Sequence, residues 1–295
     1  MLDSFLSFML IFNKMYIHVP IIVFGLMSAR RYDFFNVWIC YLLAVFLTSL
    51  LKIAFKIPLI YPHSSDIYGF PSGHMMVSVA VYGYLFLCFS SLILRFILGF
   101  ILICLFIATV HAGYHTPFDN FGAWLFAGLL VLIVYYATRD NNPLTIKAWK
   151  PSVVVFMFGL ISYFILSDLN YLRSGVVQSL GIAIGLLIGS AICTDWLKVG
   201  QHSLFKVFCM GLEGSIIFMG SFIMIYDVGL MEAIKPYFNN DFRVIELLIG
   251  ALPSLILVLY IALNRSLLMF LINWKVFHVV GRGTKRDNSP FKYWD

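Results

Sequence analysis

The feature that most constrains this chain is a succession of apolar runs, each long enough to cross a bilayer. A helix needs about 20 predominantly apolar residues to span the hydrocarbon core. About nine stretches meet that measure, near 6–28, 34–54, 73–94, 96–114, 119–138, 152–168, 175–194, 204–226 and 244–263. Backbone polar groups find no water inside a bilayer, so spans of this length are helical. The expected fold class is therefore an all-α polytopic membrane protein with about nine transmembrane helices. Asn13 and Lys14 interrupt the first run, which makes it the least regular.

Charge supports the same class. Only 12% of the 295 residues are charged and 61% are hydrophobic, whereas a soluble domain carries roughly 25% charged residues. The five cysteines lie inside apolar runs without metal-ligand spacing, so neither a disulfide framework nor a zinc site is expected. The opening "MLDSFLSFML" lacks the basic start of a cleaved signal.

The net charge of +6 does not point to nucleic acid, because the basic residues sit in short loops beside the apolar runs. Orientation in the bilayer accounts for them. With the first loop inside, thirteen of the 20 Lys and Arg fall on the cytoplasmic side, among them Arg30, Arg31, Arg95, Arg139, Lys147 and the tail after 274. The outer side receives Lys14, Lys52, Lys56, Arg173, Lys235 and Arg243. This arrangement brings the loop at 55–72 and the stretch "HAGYHTPFD" at 111–119 together on the outer face.

Three short stretches at those outer helix ends carry chemically capable side chains. In "LKIAFKIPLIYPH", Lys52 and Lys56 lie one helical turn apart. Lysines at such a place commonly anchor a helix at the membrane surface, yet the outer face is the one expected to be poor in lysine. "PSGH", from Pro71 to His74, stands where the third span begins. Free N–H groups at a helix start attract anions, and glycine lets an anion approach the backbone. The plainer alternative for Ser72 and Gly73 is an ordinary Pro/Ser helix start. His74 is placed to give a proton to a leaving oxygen.

In the third stretch, Asp119 follows His115 by four residues, with Pro117 expected to introduce a bend. A carboxylate on one ring nitrogen fixes a histidine's tautomer and makes the other nitrogen a better nucleophile or base. His111, four residues before His115, is expected on the same helix face. The competing reading is an interfacial histidine that hydrogen-bonds a helix cap.

Taken jointly, these stretches resemble the type 2 phosphatidic acid phosphatase (PAP2) superfamily. Its pattern is Lys-x6-Arg-Pro, then Pro-Ser-Gly-His, then Ser-Arg-x5-His-x3-Asp, on neighbouring helices. "PSGH" is intact here and "HTPFD" supplies His-x3-Asp, over about residues 45–137. The resemblance implies that His115 attacks phosphorus, Asp119 orients it, and His74 protonates the departing oxygen. Lys52, Lys56, Ser72, Gly73 and His111 are the corresponding candidates for substrate binding. Neither a metal nor another cofactor is implied. The implied substrate is a lipid phosphate or diphosphate taken from the bilayer. The site would face the periplasm or exterior of a bacterial inner membrane, with the C-terminus cytoplasmic. The oligomeric state is left open.

Two departures matter. The positions expected to hold Arg and Pro after Lys52 are Leu59 and Ile60, and the Ser-Arg pair before His115 is Ala108 and Thr109. Both phosphate-clamping arginines are missing, and loss of a bidentate guanidinium is not a mild change. Three readings remain. Lys56, His63 and His111 could substitute in an altered phosphatase. The chain could move a less charged phosphodiester head group between lipids, in the manner of sphingomyelin synthases. Or the site could be inert. A rival from another class is a transporter or lipid-binding protein with structural histidines.

The polar loop "RDNNPLTIKAWKP" at 139–151 is the natural boundary. The expected division is a PAP2-like catalytic membrane domain at 1–140, a further four-helix membrane domain at 150–274, and a basic cytoplasmic tail at 275–295. In the second part Glu213 sits well inside a span, either as a functional carboxylate or as a paired structural one. "GIAIG", Gly181–Gly185, suggests close helix packing.

Overall fold

The computed structural model describes residues 2–28, 30–60, 67–139, 147–193, 210–218, 220 and 242–263, and the described elements are helical. His63, most of the expected eighth span at 204–226, and the tail at 275–295 lie outside the described residues. Among the described residues, six helices are long and apolar enough to cross a membrane, or seven if a bent N-terminal pair counts as one span. The chain is an integral membrane protein.

That bent pair is α1 (Leu2–Met9, continued by a 3-10 turn Leu10–Asn13) and α2 (Met15–Met27), which meet at 52°. The break falls at the interrupting Asn13 and Lys14. Polar side chains of a neighbouring helix attend to it: Ser78 donates to the Asn13 side-chain oxygen at 2.7 Å, and the Tyr82 hydroxyl donates to the Phe12 carbonyl at 2.7 Å.

Helix α3 (Arg31–Phe55) is the centre of the molecule. Phe35, Val37, Cys40, Leu42, Ala44 and Phe46 are all fully buried, which occupies more than one face of the helix. Helix α4 (Gly73–Cys88) contains a π-helical turn at Val79–Gly83 and packs beside it. It is shorter than the expected 73–94, because Phe89 turns extended and the Ser91 hydroxyl caps α5 (Leu92–His111). Helix α6 (Pro117–Thr138) completes this group. Large apolar side chains of α5 and α6, such as Phe96, Ile103, Phe121 and Ile133, stay exposed, as lipid-facing positions do.

Next come α7 (Trp149–Asp168), α8 (Ser174–Ile192) and α9 (Phe242–Leu263). Gly159 seats α7 on α3: a Cβ there would come within 2.7 Å of Phe46 Cζ. The expected small-residue packing of α8 is observed. Cβ atoms at Gly181 and Gly185 would fall 2.1 Å from the Leu247 carbonyl oxygen and the Ser254 hydroxyl of α9. Contacts advance together along both helices, so α8 and α9 run parallel. Glu213 accepts a hydrogen bond from the Tyr260 hydroxyl of α9.

Candidate functional site

The site is built where α3 ends and α4, α6 and α8 begin. After α3, the chain closes a loop by an antiparallel bridge between Pro58 and Tyr68, with Leu59 N–H donating to the Ile67 carbonyl at 3.0 Å. The returning segment enters a cis Phe70–Pro71 bond and then α4. Phe70 is clamped: it stacks on Phe118 at 4.8 Å and meets Phe55 edge-on at 5.0 Å. Gly122 admits its ring, since a Cβ there would lie 2.1 Å from Phe70 Cε2. Ser72 is fully buried, and its N–H donates to the Asp119 carbonyl at 3.1 Å, which ties the start of α4 to α6.

Helix α5 stops at His111. Gly113 adopts φ +71°, a left-handed conformation that ends helices at little cost for glycine. His111 and His115 are consequently separated by a turn and do not share a helix face, which corrects the sequence-based expectation. The His111 ring instead bonds Asp3 of α1 at 2.8 Å.

Thr116 then caps α6. Its hydroxyl accepts from Asp119 N–H at 3.1 Å, and the Asp119 carboxylate accepts from Thr116 N–H at 2.8 Å, a reciprocal capping box with Pro117 in the first turn. The same carboxylate oxygen lies 3.7 Å from His115 Nδ1, beyond a hydrogen bond but within ion-pair range. Both side chains are more than nine-tenths buried. Nδ1 is therefore the nitrogen turned toward Asp119, and Nε2 is the one left for other chemistry.

His115 lines a cavity of about 360 Å³ together with His74, Gly73 and Val77 from α4, and Val45, Thr48, Ser49 and Lys52 from α3. Arg173, Gly175 and Val176, at the start of α8, also line it. Lys52 is only 2% exposed, so it is not a snorkelling anchor at the surface. Among the described lining residues there is no carboxylate, and Lys52 and Arg173 make that described lining cationic. Packing does not demand glycine at position 73, where a Cβ would meet only Thr48 Cγ2 at 3.4 Å.

Of the eight candidates from the sequence, Lys52, Gly73, His74 and His115 reach the cavity, and Asp119 stands behind His115. Ser72 supports the start of α4 from beneath. Lys56 and His111 are not in the lining. Lys56 is the exposed left-handed residue that ends α3, and His111 faces α1.

The two positions without arginine have other tasks. The Thr109 hydroxyl donates to the Leu105 carbonyl at 2.9 Å and accepts from the Asn120 amide at 2.6 Å, joining α5 to α6. Leu59 packs over Gly69 inside the bridged loop. Sequence reasoning placed Arg173 on the outer face but gave it no part in the site. Among the described residues no three His, Cys, Asp or Glu side chains gather as a metal-ligand set.

Fold and site define a polytopic membrane protein with a half-buried cationic cavity at one set of helix ends, holding two histidines. Residues 33–143, under half of the chain, match the family model described as PAP2 superfamily, so over that segment the chain is similar to a phosphatase-type family. No curated protein and no solved structure matches the chain.

Proposed function

We propose that the protein is a membrane-embedded lipid phosphatase that works through a phosphohistidine. The observation that carries this reading is the meeting of His74, His115 and Lys52 in one cationic cavity, with Asp119 behind His115. His115 Nε2 attacks phosphorus while the P–O bond to the lipid alcohol or phosphate breaks. His74 gives its proton to the departing oxygen. It then takes a proton from water, whose oxygen attacks phosphorus as the P–N bond breaks and phosphate leaves. Asp119 steadies the His115 ring and the positive charge that builds on it. Lys52 and the N–H groups at the start of α4 offset the negative charge on the equatorial oxygens.

The substrate class is a lipid phosphate or diphosphate, such as phosphatidate, phosphatidylglycerophosphate or a polyprenyl diphosphate. A cavity at helix ends lets a substrate enter sideways from the bilayer. Arg30, Arg95 and Arg139 gather at the opposite helix ends: Arg30 bonds the Cys88 carbonyl and Arg95 the Phe89 carbonyl. By the positive-inside rule that end is cytoplasmic, and the cavity faces the outside.

A second reading, head-group transfer between lipids, is favoured by the absence of guanidinium at positions 59 and 109. A phosphodiester carries less charge and needs fewer cations. A substrate panel on the purified protein separates the two. Release of phosphate from any of the three lipids, abolished by His115→Ala, is the expected result. Head-group exchange without phosphate release transfers the assignment to the second reading, and neither activity overturns both.

A further inference from the structure

We propose that Arg173, which lies outside the matched family segment, is the phosphate-binding guanidinium of this site, so that the second half of the chain completes it. The inference rests on the phosphatase reading and names a binding residue for it.

Arg173 lies thirty residues beyond the segment 33–143 and immediately precedes α8, yet it lines the same cavity as Lys52, His74 and His115. Its position is held rather than incidental. Nη2 donates to the Tyr171 hydroxyl at 2.5 Å, and the guanidinium lies over the Tyr171 ring, 4.8 Å from its centroid. Tyr171 in turn packs on Tyr68 at 5.3 Å, three residues before Pro71. The arginine is thereby braced against the segment that delivers His74. A planar fork with five N–H donors can serve Tyr171 and a phosphate together.

The surroundings fit the same ligand. The first turn of α8 opens on the cavity at Gly175 and Val176, and a Cβ at Gly175 would meet nothing within 4 Å. Helix starts favour anions. Positions 59 and 109, where the family carries its arginines, are taken up by loop packing and by a helix-to-helix hydrogen bond. Arginine is favoured where a phosphate is held bidentately, and among the described residues Arg173 is the arginine that lines the cavity.

The test uses full-length protein in detergent, read in two ways: binding of inorganic phosphate or orthovanadate by calorimetry, and hydrolysis of the active lipid. Arg173→Gln is expected to weaken phosphate binding and raise KM by at least tenfold, with the thermal midpoint unchanged. Arg173→Lys should retain part of both. Methylguanidinium should restore Arg173→Ala but not His115→Ala, a rescue that a merely structural arginine does not give. Gly175→Asp, which suits a helix first turn and so keeps the fold, should also weaken phosphate binding. Arg173→Gln with binding and KM within twofold of wild type overturns the inference and leaves the phosphatase reading standing. An inactive wild type whose phosphate binding is lost in Arg173→Gln supports the anion site and retires the phosphatase. An inactive wild type that binds no phosphate ends both.

Discussion

At the scale of single residues, Asp119 has two tasks that can be pulled apart. It closes the capping box with Thr116, and it faces His115 Nδ1. Thr116→Val removes the hydroxyl of the cap and should cost about 1 kcal/mol of stability, with kcat nearly unchanged. Asp119→Asn should lower kcat by roughly 10²–10⁴-fold, because the amide can present the wrong partner to the ring. Thermal melting beside a kinetic assay distinguishes them, and equal kinetic losses in the two variants count against the orienting role. Thr109 carries the opposite lesson. Restoring the family's arginine there, Thr109→Arg, buries a charge and breaks the 2.6 Å bond from Asn120. The expected result is a lower melting temperature with no gain in phosphate affinity. His74, His115 and Asp119 were singled out by residue type and spacing together with the family resemblance, and the structure brings the two histidines to one cavity with Asp119 beside His115. Lys56 and His111 were misjudged because spacing along a helix says nothing about where the helix stops, and Gly113 stops α5 just before His115.

At the scale of elements, the site depends on close approaches that glycines permit. Gly122 admits the Phe70 ring, and Phe70 immediately precedes Pro71 to His74. Gly122→Leu should displace that ring, cost about 1–3 kcal/mol as overpacking does, and lower kcat/KM by moving His74. Gly159 seats α7 against Phe46 of α3, and α7 leads to Arg173 and α8. Gly159→Leu should therefore raise KM for the lipid phosphate with little change in kcat. An unchanged KM with an intact fold speaks against any contribution of the second half to binding. Apolar run length located most of these helices. Where the sequence reading ran long, at 94 and 114, short-range chemistry explains it: Ser91 caps α5, and Gly113 takes the left-handed conformation.

At the scale of the whole molecule, the prediction is orientation. In a background without native cysteines, Ile60→Cys at the cavity end should react with a membrane-impermeant maleimide in intact cells. Arg139→Cys, at the other end, should react only after permeabilisation. The reverse labelling pattern overturns the outward-facing site. What the sequence by itself determined was a membrane-spanning helical chain and a set of candidate site residues, because run length, charge asymmetry and motif order are local or additive properties. The PAP2 superfamily match over 33–143 agrees with that reading. Only the tertiary structure decided which cations meet the histidines. Lys52 is turned into the cavity, Lys56 one turn later is left exposed, and Arg173 is brought in from beyond the family segment. The physical reason is that the packing of α7 on α3 and of α8 along α9 sets where α8 begins, and such contacts between distant segments leave no periodic trace in the chain.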